Sequence, residues 1–409
     1  MTGPRTLLAL SAAAALLWSA AAVPASADHG GHRPGGEVRF ATFNASLNRP
    51  QEGGLVADLS TPHDAQAQDA AEVIQRTRPD VLLVNEFDYD SEGRAARLFQ
   101  RNYLSHGQNG AEPIHYPYRY TAPSNTGVAS GLDLDNDGRT VTEPGQGGYG
   151  DDAYGFGAFP GQYGMVVYSR YPIDTGAVRT FQTFRWADMP GALLPTDPQT
   201  GEPFYSDEEL ERLRLSSKSH WDIPVRTGRG KPVHLLAAHP TPPSFDGPER
   251  RNVARNHDEN RFFADYVSPG RGGYIYDDDG RRGGLRPGAR FVIAGDLNAD
   301  PNDGDGHPDA TRQLLEHRRV NGGLLPASEG GPQAAAAQGG ANTGHTGDPA
   351  HDTADFGDVP GPGNLRVDYV LPSRGLPVRG TGVFWPAAGE PGAEAAAASD
   401  HHLVWLDVR

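Results

Sequence analysis

The 409-residue chain contains no cysteine. Disulfides and thiolate metal centres are excluded, so stability must come from the core and from any cation site built on oxygen. Positive charge is scarce: 36 Lys and Arg face 52 Asp and Glu, a formal net charge of −16. Duplex nucleic acid is held largely through neutralised phosphates, which counts against a tight DNA-binding module. The sequence also lacks a basic stripe interleaved with aromatics, the pattern that holds single strands. It has no internal repeat. Long apolar runs are missing as well, save one. Residues 7–22 follow Arg5 and precede Pro24-Ala25-Ser26-Ala27, a small-residue cleavage signature. This run falls short of the roughly 20 residues that a membrane span needs. The expectation is a signal peptide over residues 1–27, cleavage near Ala27, and a secreted chain with no membrane insertion. Among charged residues the leader holds only Arg5, so removing it takes the net charge from −16 to −17. Such a charge keeps an exported protein soluble.

What is abundant is turn chemistry, with 53 Gly and 35 Pro set between recurring apolar runs. Residues 28–37 read as a flexible, Gly- and His-rich lead-in, in which His29 and His32 belong to a solvated tail. The alternation over residues 38–44 predicts a strand. Ala, Val and Ile at helical spacing predict a helix over 64–77 that stops before Arg78-Pro79. The continuous run 81–84 predicts a second strand. Further strands are expected at 164–169, 233–239, 291–294, 367–371 and 403–408, with a helix over 248–266. Strand, helix, strand succession marks a layered α/β domain, and mixing of alternating with continuous runs points to mixed sheets covered by helices. Residues 38–409 form the expected domain, with insertions near 124–161, 187–219 and 321–363.

Chemistry concentrates at the ends of the apolar runs. Phe291-Val292-Ile293-Ala294 leads directly into Gly295-Asp296-Leu297-Asn298, setting a carboxylate and an amide side by side at a sheet rim. Asn44, Glu86, His239, Asp368, Asp400 and His401 stand at comparable places. Each alone is explained by a capped turn or a surface carboxylate. Together they require six strands to end in ligand-type residues by accident. Oxygen ligands of this kind suit a hard cation, Mg²⁺ or Mn²⁺.

With these motifs in this order, the chain resembles the endonuclease/exonuclease/phosphatase superfamily of metal-dependent phosphoesterases. The resemblance runs from about Val38 to the C-terminus. It rests on Phe43-Asn44, Val84-Asn85-Glu86, Gly164 to Ile173, His239, Gly295-Asp296-Leu297-Asn298, Asp368-Tyr369 and Ser399-Asp400-His401. It implies a four-layer α/β sandwich, two mixed sheets packed face to face with helices outside. Asn44 and Glu86 would be metal ligands, with Asp400 completing the metal environment. His401 would contact the scissile phosphate and Asp368 would orient it. Asp296 would position or deprotonate the attacking water, Asn298 would steady a phosphate oxygen, and His239 would contact the phosphate or leaving group. Whether Asp296 or the His401–Asp368 pair is the base stays open. His402 departs from the family pattern and reads as a rim or packing residue.

Asp133, Asp135 and Asp137, with Gly138, match the start of a calcium loop, but position twelve is Pro144. A structural Ca²⁺ and a solvated acidic turn are both open. His345 and His351 read as incidental histidines of a Gly-rich loop. Arg250, Arg251 and Arg255 are either local positive charge near a pocket or a solvated helix face. The expected protein is a secreted, monomeric hydrolase of phosphate mono- or diesters, with small esters favoured over polymeric DNA on charge. A secreted nuclease acting on DNA or RNA is the alternative. A non-catalytic binding module on the same fold is weaker, since every motif position is filled.

Overall fold

The computed structural model describes residues 36–409 except Arg229 and Val359. The expected signal peptide, His29, His32 and residues 28–35 of the lead-in lie outside the described residues.

Alternation over the first predicted strand produces β1 (Val38–Asn44). Helix α1 (Gly54–Asp58) precedes α2 (Ala65–Thr77), where the Asp64 carboxylate accepts from Ala67 N. Arg78 closes α2 in the left-handed conformation before Pro79, which cannot continue a helix. The continuous apolar run becomes β2 (Val81–Asn85), followed by α3 (Arg94–Phe99), β3 (Tyr118–Tyr120) and β4 (Met165–Ser169). The second half contains β5 (Arg179–Thr180), α4 (Asp207–Leu210), β6 (Trp221–Val225), β7 (Val233–Ala237), α5 (Arg251–Val267) and β8 (Arg290–Asp296). After these come α6 (Arg312–Leu315), α7 (Gly330–Gln338), β9 (Ala354–Asp355) and β10 (Asn364–Leu365). The chain ends with β11 (Asp368–Pro372), β12 (Val378–Phe384), α8 (Ala393–Ala396) and β13 (Leu403–Val408).

One sheet has the order β12-β13-β1-β2-β4-β3, and the other β11-β8-β7-β6-β5. Both are mixed: β1 and β2 run parallel, as do β7 and β8, and their other neighbours are antiparallel. Side chains of period two sort the strands into layers. Phe40, Val81, Leu83 and Val167 meet Ile223, Leu235, Val292 and Val370 between the sheets. Ala41, Phe43, Leu82 and Val84 point the other way onto Val73, Ile74 and Phe99 of α2 and α3. Phe291, Ile293 and Tyr369 lie beneath Phe262, Phe263 and Tyr266 of α5. The result is helix, sheet, sheet, helix, the four-layer sandwich. Phe40 is fully buried between the sheets, so truncating it to Ala would cost about 3–5 kcal/mol.

The structure departs from the sequence reading in several elements. Strand β7 stops at Ala237, so His239 follows it by two residues and does not close it. Strand β6 was not expected, because Pro224 interrupts its pattern. The neighbouring β5 pairs only with Trp221 and Asp222, so Pro224 lies beyond it. Strand β12 is disguised by Gly380 and Gly382; a Cβ at Gly382 would come within 2.9 Å of the Trp405 ring. The segment 321–363, expected to be irregular, contains α7 and β9, which pairs with β10 just beyond it. The charged positions of α5 do not form a solvated face. Asp258 is buried and accepts from Trp186 Nε1 (2.7 Å) and Leu193 N (2.6 Å), which ties the 187–219 insertion to the helix. Among the described residues no helix is long and apolar enough to cross a membrane.

Candidate active site

Strand register brings the motif residues together. Asn44 pairs with Asn85 across β1–β2, and Asp368 pairs with Asp296 across β11–β8. Because Ala237 lies beside Ala294 in the parallel β7–β8 pair, His239 and Asp296 emerge next to one another two residues later. Gly295 is what permits this approach. A Cβ there would sit 1.9 Å from the Ala238 carbonyl oxygen, so no other residue fits.

Asn44 joins the two sheets. Its Nδ2 donates to Glu86 Oε1 (3.1 Å) and to Asp296 Oδ2 (3.0 Å), while its Oδ1 accepts from Ser46 N (3.2 Å). Asp296 Oδ1 accepts from Asn298 N (2.9 Å). His239 Nε2 lies 3.4 Å and His401 Nε2 3.7 Å from Asp296 Oδ2. His401 Nδ1 lies 2.9 Å from Asp368 Oδ2. Glu86, Asn44, Asp296, His239, His401 and Asp368 thus form one continuous constellation. Asn298 borders it, with one N–H of its amide on Pro240 O (3.0 Å). Glu86 (φ 55°) and Asn298 (φ 52°) both adopt left-handed backbone, a strained conformation of order 1–3 kcal/mol each that clusters at working sites.

Electrostatics separates the groups. Burial pushes the Asp296 carboxyl up to about 6, against the pull of His401 and the Asn44 amide. Burial likewise raises Glu86 and Asp368. For His401, burial disfavours the charge, but the carboxylates of Asp368 and Asp296 outweigh it and hold the ring protonated well above its ordinary range. His239 goes the other way: burial, then the charges of Lys218 and His401, keep it neutral. Two imidazoles at one site therefore carry different charge.

Asp400 stands apart. It is exposed, and its Oδ1 is 3.4 Å from Ser46 Oγ and 3.5 Å from Ser399 Oγ. His402 is buried with its ring stacked on Trp385 at 3.7 Å, a packing role. Arg251 and Arg255 are drawn off the solvated helix face onto loop carbonyls, while Arg250 is exposed and also binds one. Arg251 donates to Leu134 O (3.0 Å) and Arg255 to Leu215 O (2.8 Å), pinning two insertions; Arg250 donates to Asp305 O. His351 Nδ1 lies 2.8 Å from Pro326 O, and neither it nor His345 bonds to the constellation.

Several contributors escaped the sequence reading. Asn48 Nδ2 donates to Glu86 Oε2 (2.9 Å), from a loop without periodic signal. Lys218 is buried and its ammonium reaches Pro240 O at 3.5 Å. Burial lowers its pKa against the opposing fields of Glu259, Glu86 and Asp296. Thr353 Oγ1 donates to Asp368 Oδ2 (3.0 Å) and accepts from Val367 N and Asp368 N (2.9 Å each). The Phe356 ring stands edge-on to His401 at 5.3 Å. Both belong to a segment that reads as irregular, where no sequence signal could have found them.

The donor set fits a hard cation. Glu86 is a carboxylate whose two oxygens are met only by the neutral amides of Asn44 and Asn48, and such amides can present oxygen instead. The Asp368 Oδ1 atom is buried without a hydrogen-bond partner. Away from this site, one carboxylate oxygen from each of Asp133, Asp135 and Asp137 lies within 4.8 Å of the others. These carboxylates accept the N–H groups of Asp137, Gly138 and Arg139.

Comparison with known proteins extends the picture. The family model described as Endonuclease/Exonuclease/phosphatase family matches residues 41–401. No curated protein sequence is significantly similar to the chain. Among solved structures, an endonuclease/exonuclease/phosphatase from Beutenbergia cavernae DSM 12333 is 18% identical, with 91% of this chain and 71% of that one covered (TM-score 0.48). Sphingomyelinase C from Streptomyces griseocarneus is 14% identical, covering 91% and 99% (TM-score 0.43). A Staphylococcus aureus beta toxin mutant with bound magnesium ions is 14% identical, covering 90% and 99% (TM-score 0.41).

Proposed function

Because the chain belongs to the Endonuclease/Exonuclease/phosphatase family, hydrolases acting on phosphoester bonds, we propose that it is a secreted, Mg²⁺-dependent hydrolase of small phosphate mono- or diesters. The observation that carries this reading is the bridge made by Asn44 between Glu86 of one sheet and Asp296 of the other, beside the His401–Asp368 pair. Phosphoryl transfer needs positioning and charge neutralisation more than covalent help, and this arrangement supplies both.

Glu86, with the amide oxygens of Asn44 and Asn48 and with Asp400 at the rim, would hold the cation. Such an ion, when bound, draws charge from the phosphate oxygens and favours an ionised water. Manganese would fit the same oxygen set, and the magnesium of the beta toxin structure supports the lighter ion. The protein's own groups divide the remaining work. Asp296 accepts the proton of the attacking water, since His401 is already protonated and its Nδ1 is engaged by Asp368. His401 Nε2–H is directed toward the same space and donates to a phosphate oxygen. The second N–H of the Asn298 amide steadies another oxygen, and neutral His239 contacts the phosphate or leaving group. Lys218 adds positive field from beneath without needing contact.

The net charge of −17 after loss of the leader supports small esters over polymeric DNA. Arg5, the apolar stretch after it and the small residues before Asp28 support export, and the active unit would be a monomer. A Ca²⁺ held by Asp133, Asp135 and Asp137 would order the 124–161 insertion. The deciding experiment compares plasmid DNA, a nucleotide monoester and a phospholipid head-group ester, each with Mg²⁺, Mn²⁺ or Ca²⁺ supplied separately. Turnover of a small ester with Mg²⁺ and slow plasmid nicking is expected. Rapid nicking with negligible small-ester turnover would establish the nuclease instead.

A further inference from the structure

Insertion 124–161 forms much of a cleft of about 510 Å³ whose lining includes Asn48, Gly150, Asp151, Phe156, Gln162 and Tyr163. Asn48 links this cleft to the phosphoester site, because its amide also holds Glu86. The wall is rigidly attached. Gln162 Nε2 donates to Arg49 O (2.8 Å) and its Oε1 accepts from Ala158 N (2.6 Å). Tyr163 N donates to Asp88 Oδ1 (3.1 Å).

Phe156 is 65% exposed, an unfavourable position for a phenyl ring unless something covers it. Its ring rests against Gly150, where a Cβ would come within 2.8 Å of ring atom Cε2. Part of the ring is thus supported by backbone and the remainder faces solvent. Gly145, Gly147, Gly148 and Gly157 also line the cleft and bring peptide groups to its surface without side chains. The lining contains no Lys, Arg or His, and its one charged residue is Asp151.

We propose that this cleft receives the organic group of the substrate ester, and that it selects a flat, uncharged ring stacked on Phe156. The proposal rests on the phosphoester reading of the adjoining site. A second phosphate would find no cation here and would face Asp151, so polyanionic groups are rejected. A ring gains contact with Phe156, and the side-chain-free strip lets its polar edge reach backbone N–H and C=O groups.

Calorimetry with two phosphonates that cannot be hydrolysed as esters tests this in the full-length protein with Mg²⁺. The wild type should bind (1-naphthylmethyl)phosphonate at least about 5-fold more tightly than methylphosphonate, the lower end for aromatic stacking. Phe156→Ala should erase that preference, and Gly150→Ala should weaken it by displacing the ring. Phe156→Trp should keep it, and all three variants should retain wild-type affinity for methylphosphonate. Methylphosphonate binding with no ring preference, or a preference that survives Phe156→Ala, overturns the subsite alone. Failure of the wild type to bind either ligand overturns the phosphoester reading and the subsite with it.

Discussion

Replacing Asp296 by Asn should abolish hydrolysis and at the same time make the folded protein more stable. Asp296 is 1% exposed, and its two hydrogen bonds from Asn44 and Asn298 do not offset what burial costs its charge. Its carboxyl is pushed from 3.8 up to about 6. Losing the proton is therefore harder in the folded chain than in the unfolded one. The stability associated with this group is fully present below pH 3.8 and is lost as pH rises through 6. About two pKa units at 1.36 kcal/mol each amount to about 3 kcal/mol at neutral pH and above. Asn has no proton to lose, and its amide oxygen can still accept from Asn44 or Asn298. Urea unfolding of both proteins at pH 5 and pH 8, in chelator so that no bound cation favours the ionised form, measures the gap. The variant should exceed the wild type by about 3 kcal/mol at pH 8 and by less at pH 5. A less stable variant at pH 8, or a gap indifferent to pH, would refute the account of Asp296 as a carboxylate held ionised against burial.

The remaining predictions concern the groups around it. The wild-type kcat/KM should fall on the acid side as Asp296 takes up a proton, with a midpoint at or below about 6 because bound Mg²⁺ favours the carboxylate; a rate that does not fall between pH 6 and pH 3 would remove Asp296 as the base. Asp368→Asn deprives His401 of the carboxylate at 2.9 Å, and kcat should fall by about 10²-fold or more while circular dichroism stays unchanged. Thr353→Val strands the backbone N–H groups of Val367 and Asp368, at about 1–3 kcal/mol for each buried group left unpaired, and leaves Asp368 Oδ2 with His401 alone. Thr353→Ser should restore both stability and turnover, and failure of that rescue would assign the effect to the methyl group. A Ca²⁺-selective chelator, with Mg²⁺ kept in excess, should lower the melting temperature of the wild type but not of Asp133→Asn/Asp135→Asn, and an unchanged wild-type midpoint would exclude a structural Ca²⁺ in that loop.

Most of the central strands could be read directly. Val38–Asn44, legible as an alternation, and Leu403–Val408, legible as an apolar run, both occupy the expected residues. Strands β6 and β12 could not. Pro224 and the two glycines of β12 are local signals against a strand, and only the short reach of β5 and the Trp405 ring explain why they are tolerated. The charged residues of α5 were misleading for a similar reason. Asp258 and Glu259 are buried because loops from distant parts of the chain bring N–H groups to them; Glu259 accepts from Ser217 N (2.7 Å) and Thr241 N (2.6 Å).

The residues of the candidate site were present in the sequence as types and in order: Asn44, Glu86, His239, Asp296, Asn298, Asp368, Asp400 and His401. Strand ends in a layered sheet must converge somewhere, so their chemistry was legible without coordinates. The opposite charge states of His239 and His401 were not. They depend on which carboxylates and cations lie nearby in space, and those come from separate segments of the chain: Lys218 and His401 for His239, Asp368 and Asp296 for His401. The same holds for Asn48, Lys218, Thr353 and the Phe156 cleft, which carry no periodicity or spacing. Apolar patterning is a property of neighbours along the chain, and it determined the strands and their chemical termini. Burial and charge pairing are properties of neighbours in space, and the tertiary structure alone decided which group holds a proton and what stands beside it.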